Sequence, residues 1–392
     1  MKSFQGLAPV RLALCCRQSE GEIDGIRDYT AHLGDALRRI DGVAVDLYMR
    51  TQAGGWVTES SDGRRTKETS SFESGLKGYD AVVVQYNPFM YGRWGFAPWL
   101  PLGLWHLRRT KLCGRIAVMV HEPYVPMVNW RWTLMGMWQR FQLAASLWGA
   151  HVAFASIQAW SESVARLPFA PPTFHLPVGS NLPDARAARR DERARLQLGD
   201  DALVAAAFST GVAGRVVSYV VSAVNAIART GREVILLNLG AGAPSLCESI
   251  AKEVRLLEPG RLPSNRLAEK LATADLFLAP FVDGVSSRRT TVMAALQHGV
   301  AVVGTRGSLT DELFISSRSL KLVGVDDEAG FAAAAVRLAS NSDERARLGG
   351  AGRKLYEHRF DWPIVARELV RYLTAESHEQ AAVDGVALET LR

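Results

Sequence analysis

Two adjacent arginines, Arg288 and Arg289, stand between a Gly/Ser loop and a helical pattern. The run is Ala279-Pro-Phe281-Val-Asp283-Gly284-Val285-Ser286-Ser287-Arg288-Arg289-Thr290-Thr291. A strand that passes through such a loop into a helix gathers free backbone amides and guanidinium groups at one point. That suits a leaving group of about two negative charges, and the threonine hydroxyls can reach a ribose. A helix cap with solvated arginines is the structural alternative. A second stretch, Phe208-Ser-Thr-Gly211-Val-Ala-Gly214-Arg215, sets two glycines and a hydroxyl pair before a cation, which suits a diphosphate. A capped turn with a solvated arginine would also produce it. In Val120-His121-Glu122-Pro123, His121 can donate to a sugar hydroxyl or a phosphate, or can be structural. The turn Gly21-Glu-Ile-Asp24-Gly25-Ile-Arg27-Asp28-Tyr29 offers glycine freedom before an anion-attracting helix start, or is an ordinary strand-to-helix turn. It lacks the GxGxxG spacing of dinucleotide sites, which argues against an oxidoreductase.

The elements that position these stretches follow from periodicity. Short apolar runs at Val10–Cys16, Val43–Met49, Ala81–Gln85, Ile116–His121 and Val152–Ser156 read as strands. Tyr29–Ile40 and Thr133–Ala150 read as helices. The rhythm breaks at Ser180–Asp200, a linker with a short polar helix, and then restarts. Leu203–Phe208, Val234–Leu239, Leu276–Ala279 and Val300–Gly304 are predicted strands. Val216–Ala228, Asn265–Thr273, Thr290–Gln297 and Trp362–Leu373 are predicted helices, the last after a polar segment, Ser340–Arg359. This alternation predicts an α/β fold of two Rossmann-like, doubly wound domains facing across a cleft, with ligands beyond the carboxyl ends of the strands. The expected organisation is 1–180, a linker 181–200, a second domain 201–361, a final helix 362–375 packing back towards the first domain, and a loose tail 376–392.

Composition sets outer limits. The chain has 392 residues, of which 48% are hydrophobic and 22% charged, enough for two packed cores. The net charge of +6 suits a phosphate-bearing partner or an anionic membrane face. Between Tyr86 and Trp148 lie seven cations, one acid (Glu122) and seven of the ten tryptophans. Membrane-interface contact and core packing compete to explain them. Cys15, Cys16, Cys113 and Cys247 lack CxxC spacing and read as buried, reduced thiols of a cytoplasmic protein. Neither a signal peptide nor a run of about 20 apolar residues is evident. No DxD or His/Cys ligand pattern suggests a metal.

Several segments together resemble the GT-B retaining glycosyltransferases of family 4. They are Asp275–Phe281, the Asp283–Gly299 loop and helix, Val300–Thr305, Leu239-Gly240-Ala-Gly242, Glu258-Pro-Gly260-Arg261-Leu262, His175–Asn181 and Arg359–Trp362. The loop Asp-Gly-x-Ser-x-Arg-Arg resembles a bacterial branch of that family. The resemblance implies a nucleotide-sugar donor in the cleft, a UDP-sugar ahead of a GDP-sugar, with no tightly bound cofactor and no metal required. It implies that His121 meets the sugar, that Arg215 meets the diphosphate and that Asp283 stands for the first of two acids. These three are the expected catalytic residues. Gly25, Gly211, Arg215, Gly240, Arg261, Leu262, Gly284, Val285, Ser286, Arg288, Arg289, Thr290 and Thr291 are expected to bind the donor. The second acid, usually a glutamate, falls at Ala294, and Thr290 or Thr291 is expected to replace it. A neutral hydrogen bond is worth roughly 1 kcal/mol, against about 1.5–3 for one to a charged group.

The implied function is transfer of a sugar, with retention, to a glycan or lipid-linked acceptor in bacterial cell-surface or exopolysaccharide synthesis. The implied location is cytoplasmic, on the inner face of the plasma membrane if an anionic surface is a partner; nucleic acid is not expected as one. The alternatives are a non-catalytic nucleotide-sugar-binding subunit and a nucleotide-sugar epimerase on the same fold.

Overall fold

The computed structural model describes residues 9–18, 24–60, 65–199, 201–209, 214–240 and 246–374. The predicted donor residue Gly211, the tail 376–392 and the Cys247 side chain lie outside them.

The first sheet is built from β1 (Val10–Arg17), β2 (Val43–Arg50), β3 (Trp56–Glu59), β4 (Arg65–Thr69), β5 (Ala81–Tyr86), β6 (Arg115–Val120), β7 (Val152–Ala155) and β8 (Thr173–His175). Its order is β4-β3-β2-β1-β5-β6-β7-β8, parallel except at β3 and β4. Helices α1 (Gly25–Arg38), α2 (Trp99–Thr110), α3 (Trp130–Trp148) and α4 (Gln158–Ala165) flank it. A polar helix, α5 (Arg189–Arg195), follows in the linker.

The second sheet contains β9 (Leu203–Ser209), β10 (Val234–Gly240), β11 (Val254–Leu257), β12 (Leu276–Ala279), β13 (Ala301–Arg306) and β14 (Lys321–Gly324). All are parallel, in the order β11-β10-β9-β12-β13-β14 of a dinucleotide-type doubly wound sheet. With it come α6 (Val217–Ala228), α7 (Leu246–Ser249), α8 (Ser264–Ala272), α9 (Thr290–Gln297), α10 (Glu312–Ser317), α11 (Glu328–Ser340) and α12 (Ser342–Arg359).

Central strands such as β5 and β12 are buried along their whole length, as both faces of a parallel sheet are covered by helices. The last helix, α13 (Trp362–Thr374), returns to the first sheet. Trp362 meets Tyr29 and His32 of α1, and Tyr372 stacks on Phe174 of β8 at 4.0 Å.

Several elements differ from the sequence reading. Helix α1 starts a turn earlier than predicted, because Asp24 caps it by accepting from the amides of Ile26 and Arg27. The β3–β4 hairpin and α2 were not predicted. The polar segment 340–359 is a helix, α12, capped by Asn341 through the Glu344 amide. Cys15, Cys16 and Cys113 are buried and unbridged, and burial pushes the Cys16 thiol up to about 12.

The tryptophan-rich stretch divides. Trp99 packs among Trp56, Phe72 and Tyr91. Trp94, Trp105, Trp130, Trp132 and Trp148 are exposed, Trp130 by 72%. Among the described residues, no helix is long and apolar enough to cross a membrane.

Candidate functional site

The carboxyl ends of the two sheets face one another, and a cavity of about 520 Å³ lies between them. Gly25, Tyr29, His121, Glu122, Arg288 and Thr290 are among the residues that line it. Asp24 directs α1 so that its amino end opens onto this space.

His121 follows β6. Its Nε2 lies 2.7 Å from Gln85 Oε1, and its ring meets Tyr29 edge-on at 4.7 Å. Because Gln85 offers an oxygen there, Nε2 carries the proton and Nδ1 is the acceptor. Burial lowers its pKa to about 3, so the imidazole is neutral. It can orient a hydroxyl but supplies no positive charge to a phosphate. The Tyr29 hydroxyl is buried without a hydrogen-bond partner and borders the same cavity.

The loop after β12 brings the predicted cations together. Gly284, at φ +87°, turns the chain where an added Cβ would lie 2.2 Å from Thr310 Oγ1. Val285 is buried, and its amide donates to the Thr305 carbonyl of β13. This pins the loop against the sheet. Asp283 then accepts from both guanidinium groups, at 2.5 Å from Arg288 and 2.5 Å from Arg289. Arg289 lies over the Phe281 ring at 4.2 Å, and Arg288 over Trp160 at 4.8 Å. Arg288 also donates to Glu122 at 3.0 Å, an ion pair that spans the cleft. The Nε atoms of both arginines and the Ser286 hydroxyl are buried without partners, so the loop holds donors in reserve.

Arg215 reaches the same neighbourhood through an antiparallel bridge to Phe281. Val216 donates to the Pro280 carbonyl, and Val282 to that of Gly214. The Arg215 guanidinium is 3.3 Å from Asn238 Oδ1, and Asn238 donates in turn to Glu258 at 2.7 Å. Burial lowers its pKa, against the raising influence of Glu258.

Not every predicted residue joins this group. Gly240 (φ +84°) ends β10. Arg261 and Leu262 lie in the loop after the adjacent β11, at the same edge of the sheet; they stand outside the cavity lining, as do Arg215, Asp283, Gly284, Val285, Ser286 and Arg289 behind Arg288. Thr290 borders the cavity, whereas Thr291 and Ala294 are buried in the packing of α9. Of the two threonines considered as substitutes for the missing glutamate, Thr290 has access. Glu122, Asn87 and Trp160 escaped the sequence reading as site residues. Glu122 carried a signal, being the one acid in a cationic stretch and adjacent to His121.

Residues 207–341 match the profile of the family described as Glycosyl transferases group 1. A glycosyltransferase of colanic acid biosynthesis, WcaL of Escherichia coli strain K12, is 34% identical over 125 residues, about 30% of either chain. The match thus spans less than a third of that relative. Among solved structures, sucrose-phosphate synthase of Thermosynechococcus elongatus superposes with a TM-score of 0.66 at 17% identity, covering 92% of this chain and 98% of that one. HepE of Anabaena, solved in complex with UDP, superposes with a TM-score of 0.60 at 14% identity, covering 93% and 99%. The fold is therefore GT-B, two Rossmann-like units about a cleft.

Proposed function

We propose that the chain is a glycosyltransferase that moves a sugar from a nucleotide-sugar donor, a UDP-sugar, to a glycan or lipid-linked acceptor, with retention, in the synthesis of a cell-surface polysaccharide. The observation that carries this reading is the gathering of Arg215 and Arg289 about Phe281, beside the Gly284–Ser286 loop and next to Arg288 and Thr290, which line the cleft. The relatives support it: one carries the name of a colanic acid biosynthesis glycosyltransferase, and another structure holds UDP. In this reading residues 1–180 hold the acceptor and 201–361 the donor.

Catalysis here is mainly electrostatic. As the bond from the anomeric carbon to the diphosphate breaks, negative charge grows on the leaving oxygens, and preorganised guanidinium groups and amides stabilise it. Asp283 and Glu122 hold those groups in position until the diphosphate takes their place as acceptor. Neutral His121 orients a sugar hydroxyl, and Thr290 contacts the ribose in place of the glutamate that the resemblance would put at Ala294. Leaving-phosphate oxygens accept the proton of the incoming hydroxyl.

Calorimetric titration with UDP, GDP and dTDP, followed by donor hydrolysis assays with the matching sugars, tests the reading. UDP binding and sugar release are expected. Nucleotide binding without turnover would instead identify a non-catalytic subunit. Absence of binding by all three would remove the proposal.

The acceptor side carries a second element. The exposed tryptophans, exposed Phe96, Leu102 and Phe141, and exposed Arg93, Arg108, Arg109, Lys111 and Arg131 belong to the packed helices α2 and α3 or the segments next to them, and exposed Phe169 meets Trp148. We infer that this face rests on an anionic membrane on the cytoplasmic side and presents the cleft to a lipid-linked acceptor.

A further inference from the structure

Ser287, directly before the arginine pair, is fully buried, and all its polar atoms are engaged. Its amide donates to Asp311 Oδ2 at 2.6 Å, and its carbonyl accepts from the Val178 amide at 3.1 Å. Its hydroxyl donates to the Ser156 carbonyl at 2.8 Å. With that proton committed, Ser287 Oγ is the acceptor for His175 Nε2, also at 2.8 Å. His175 is therefore protonated on Nε2. Asp311 faces the other way as well. Its Oδ1 accepts from the Gln158 amide at 2.7 Å. Gln158 opens α4, whose N-cap residue, Ile157, offers no side-chain acceptor. The carboxylate of the C-terminal unit thus caps a helix of the N-terminal unit. Ser156, Gln158, His175 and Val178 come from one side of the cleft or the segment leaving it, and Ser287 and Asp311 from the other.

These bonds fail together. Separating the units frees an uncapped helix end, a buried carboxylate and the Ser287 hydroxyl at once. A partial opening leaves donors and acceptors desolvated without partners, which is costlier than either full contact or full hydration. The peptide that Ser287 anchors also aims Arg288 at Glu122.

We propose that Ser287, His175 and Asp311 form an interlobe latch: the arginine pair is positioned only when the two units are closed, so closure and assembly of the diphosphate site are one event. This rests on the reading of the Arg288–Arg289 loop as a diphosphate site. Ser287, His175 and Asp311 are positioning residues and touch no substrate.

The test uses the full chain with Ser287→Ala, Asp311→Asn, His175→Ala and His175→Gln, the last retaining an amide donor close to the reach of Nε2. Small-angle scattering and amide exchange are measured without ligand, and UDP affinity by calorimetry. Ser287→Ala, Asp311→Asn and His175→Ala are expected to enlarge the ligand-free particle and to speed exchange at the Gln158 and Ser287 amides by about tenfold. They should also weaken UDP binding by about tenfold. His175→Gln should restore a large part of both effects. Scattering and exchange identical to wild type in Ser287→Ala and Asp311→Asn overturn the latch whether or not UDP binds. A loss in His175→Ala that His175→Gln leaves unrepaired also overturns it, since a merely structural defect behaves that way. Failure of wild type to bind any nucleotide would instead sink the site reading, and the ligand-free measurements would still decide the latch.

Discussion

At Asp283 one carboxylate serves two guanidinium groups, each at 2.5 Å, and this sets the response of the site to substitution. A charge-assisted hydrogen bond contributes about 1.5–3 kcal/mol, so Arg288→Ala or Arg289→Ala should weaken UDP binding roughly ten- to hundredfold. Calorimetry reads the loss, and an unchanged far-ultraviolet circular dichroism spectrum shows that the fold survives. Unchanged affinity in both variants would contradict the assignment. His121 gives a different readout. Burial holds its pKa at about 3, below the unfolded value of about 6.5, so the unfolded chain takes up the proton first. Its contribution to stability is complete above pH 6.5 and is lost as pH falls towards 3. At pH 5 the cost is about 2 kcal/mol. Denaturant titrations at pH 7 and pH 5 should show His121→Asn losing less stability than wild type across that interval. The arginine pair and Arg215 stood out in the sequence because glycine, hydroxyl and cation coincide after apolar runs, and His121 because it ends one. The contact of Glu122 was not legible, since it joins Glu122 to Arg288, 166 positions away, and depends on how the units meet.

Among the elements, the loop before α9 is tightly constrained. Gly284 combines φ +87° with an added-Cβ distance of 2.4 Å to the Gly307 amide nitrogen. Gly284→Ala should therefore destabilise the fold by more than 1 kcal/mol and impair UDP binding, measured as a lower thermal midpoint and a weaker calorimetric signal. Wild-type behaviour in both would show that the loop can relax. Asp24→Ala removes the cap of α1 and should cost about 1 kcal/mol in a denaturant titration. Helix α9 was readable to the residue because a loop and a glycine bracket it. The helix α2 was obscured by Pro101 near its start and by apolar residues without a clear 3.6-residue period. In β3 and β4, five residues or fewer per strand give too short a window for alternation to register. Helix α12 was read as a polar segment because glycines at 349, 350 and 352 interrupt a largely charged sequence, and its packing rests on few apolar residues.

Across the whole molecule, the exposed aromatic and cationic face predicts salt-dependent attachment to membranes. Vesicles containing anionic phospholipid should co-sediment the protein at low salt and release it as salt rises, each cation near the surface contributing about 1 kcal/mol. Trp130→Ser with Trp132→Ser should reduce the bound fraction severalfold without changing UDP affinity; equal binding of neutral and anionic vesicles, or none to either, would reject this orientation. The two-unit plan was visible in the restart of the strand–helix rhythm near residue 203, and a final helix packing back towards the first unit was expected with it. That path bears on biosynthesis. One face of the first sheet, with Leu12, Leu14, Val83 and Phe154, is completed by Val365, Leu369 and Leu373 of α13. Those residues leave the ribosome only after the entire second unit, a delay of roughly 10–40 seconds at ordinary translation rates. Throughout that interval the nascent first half carries an open apolar surface, which makes it a client for chaperones until α13 emerges.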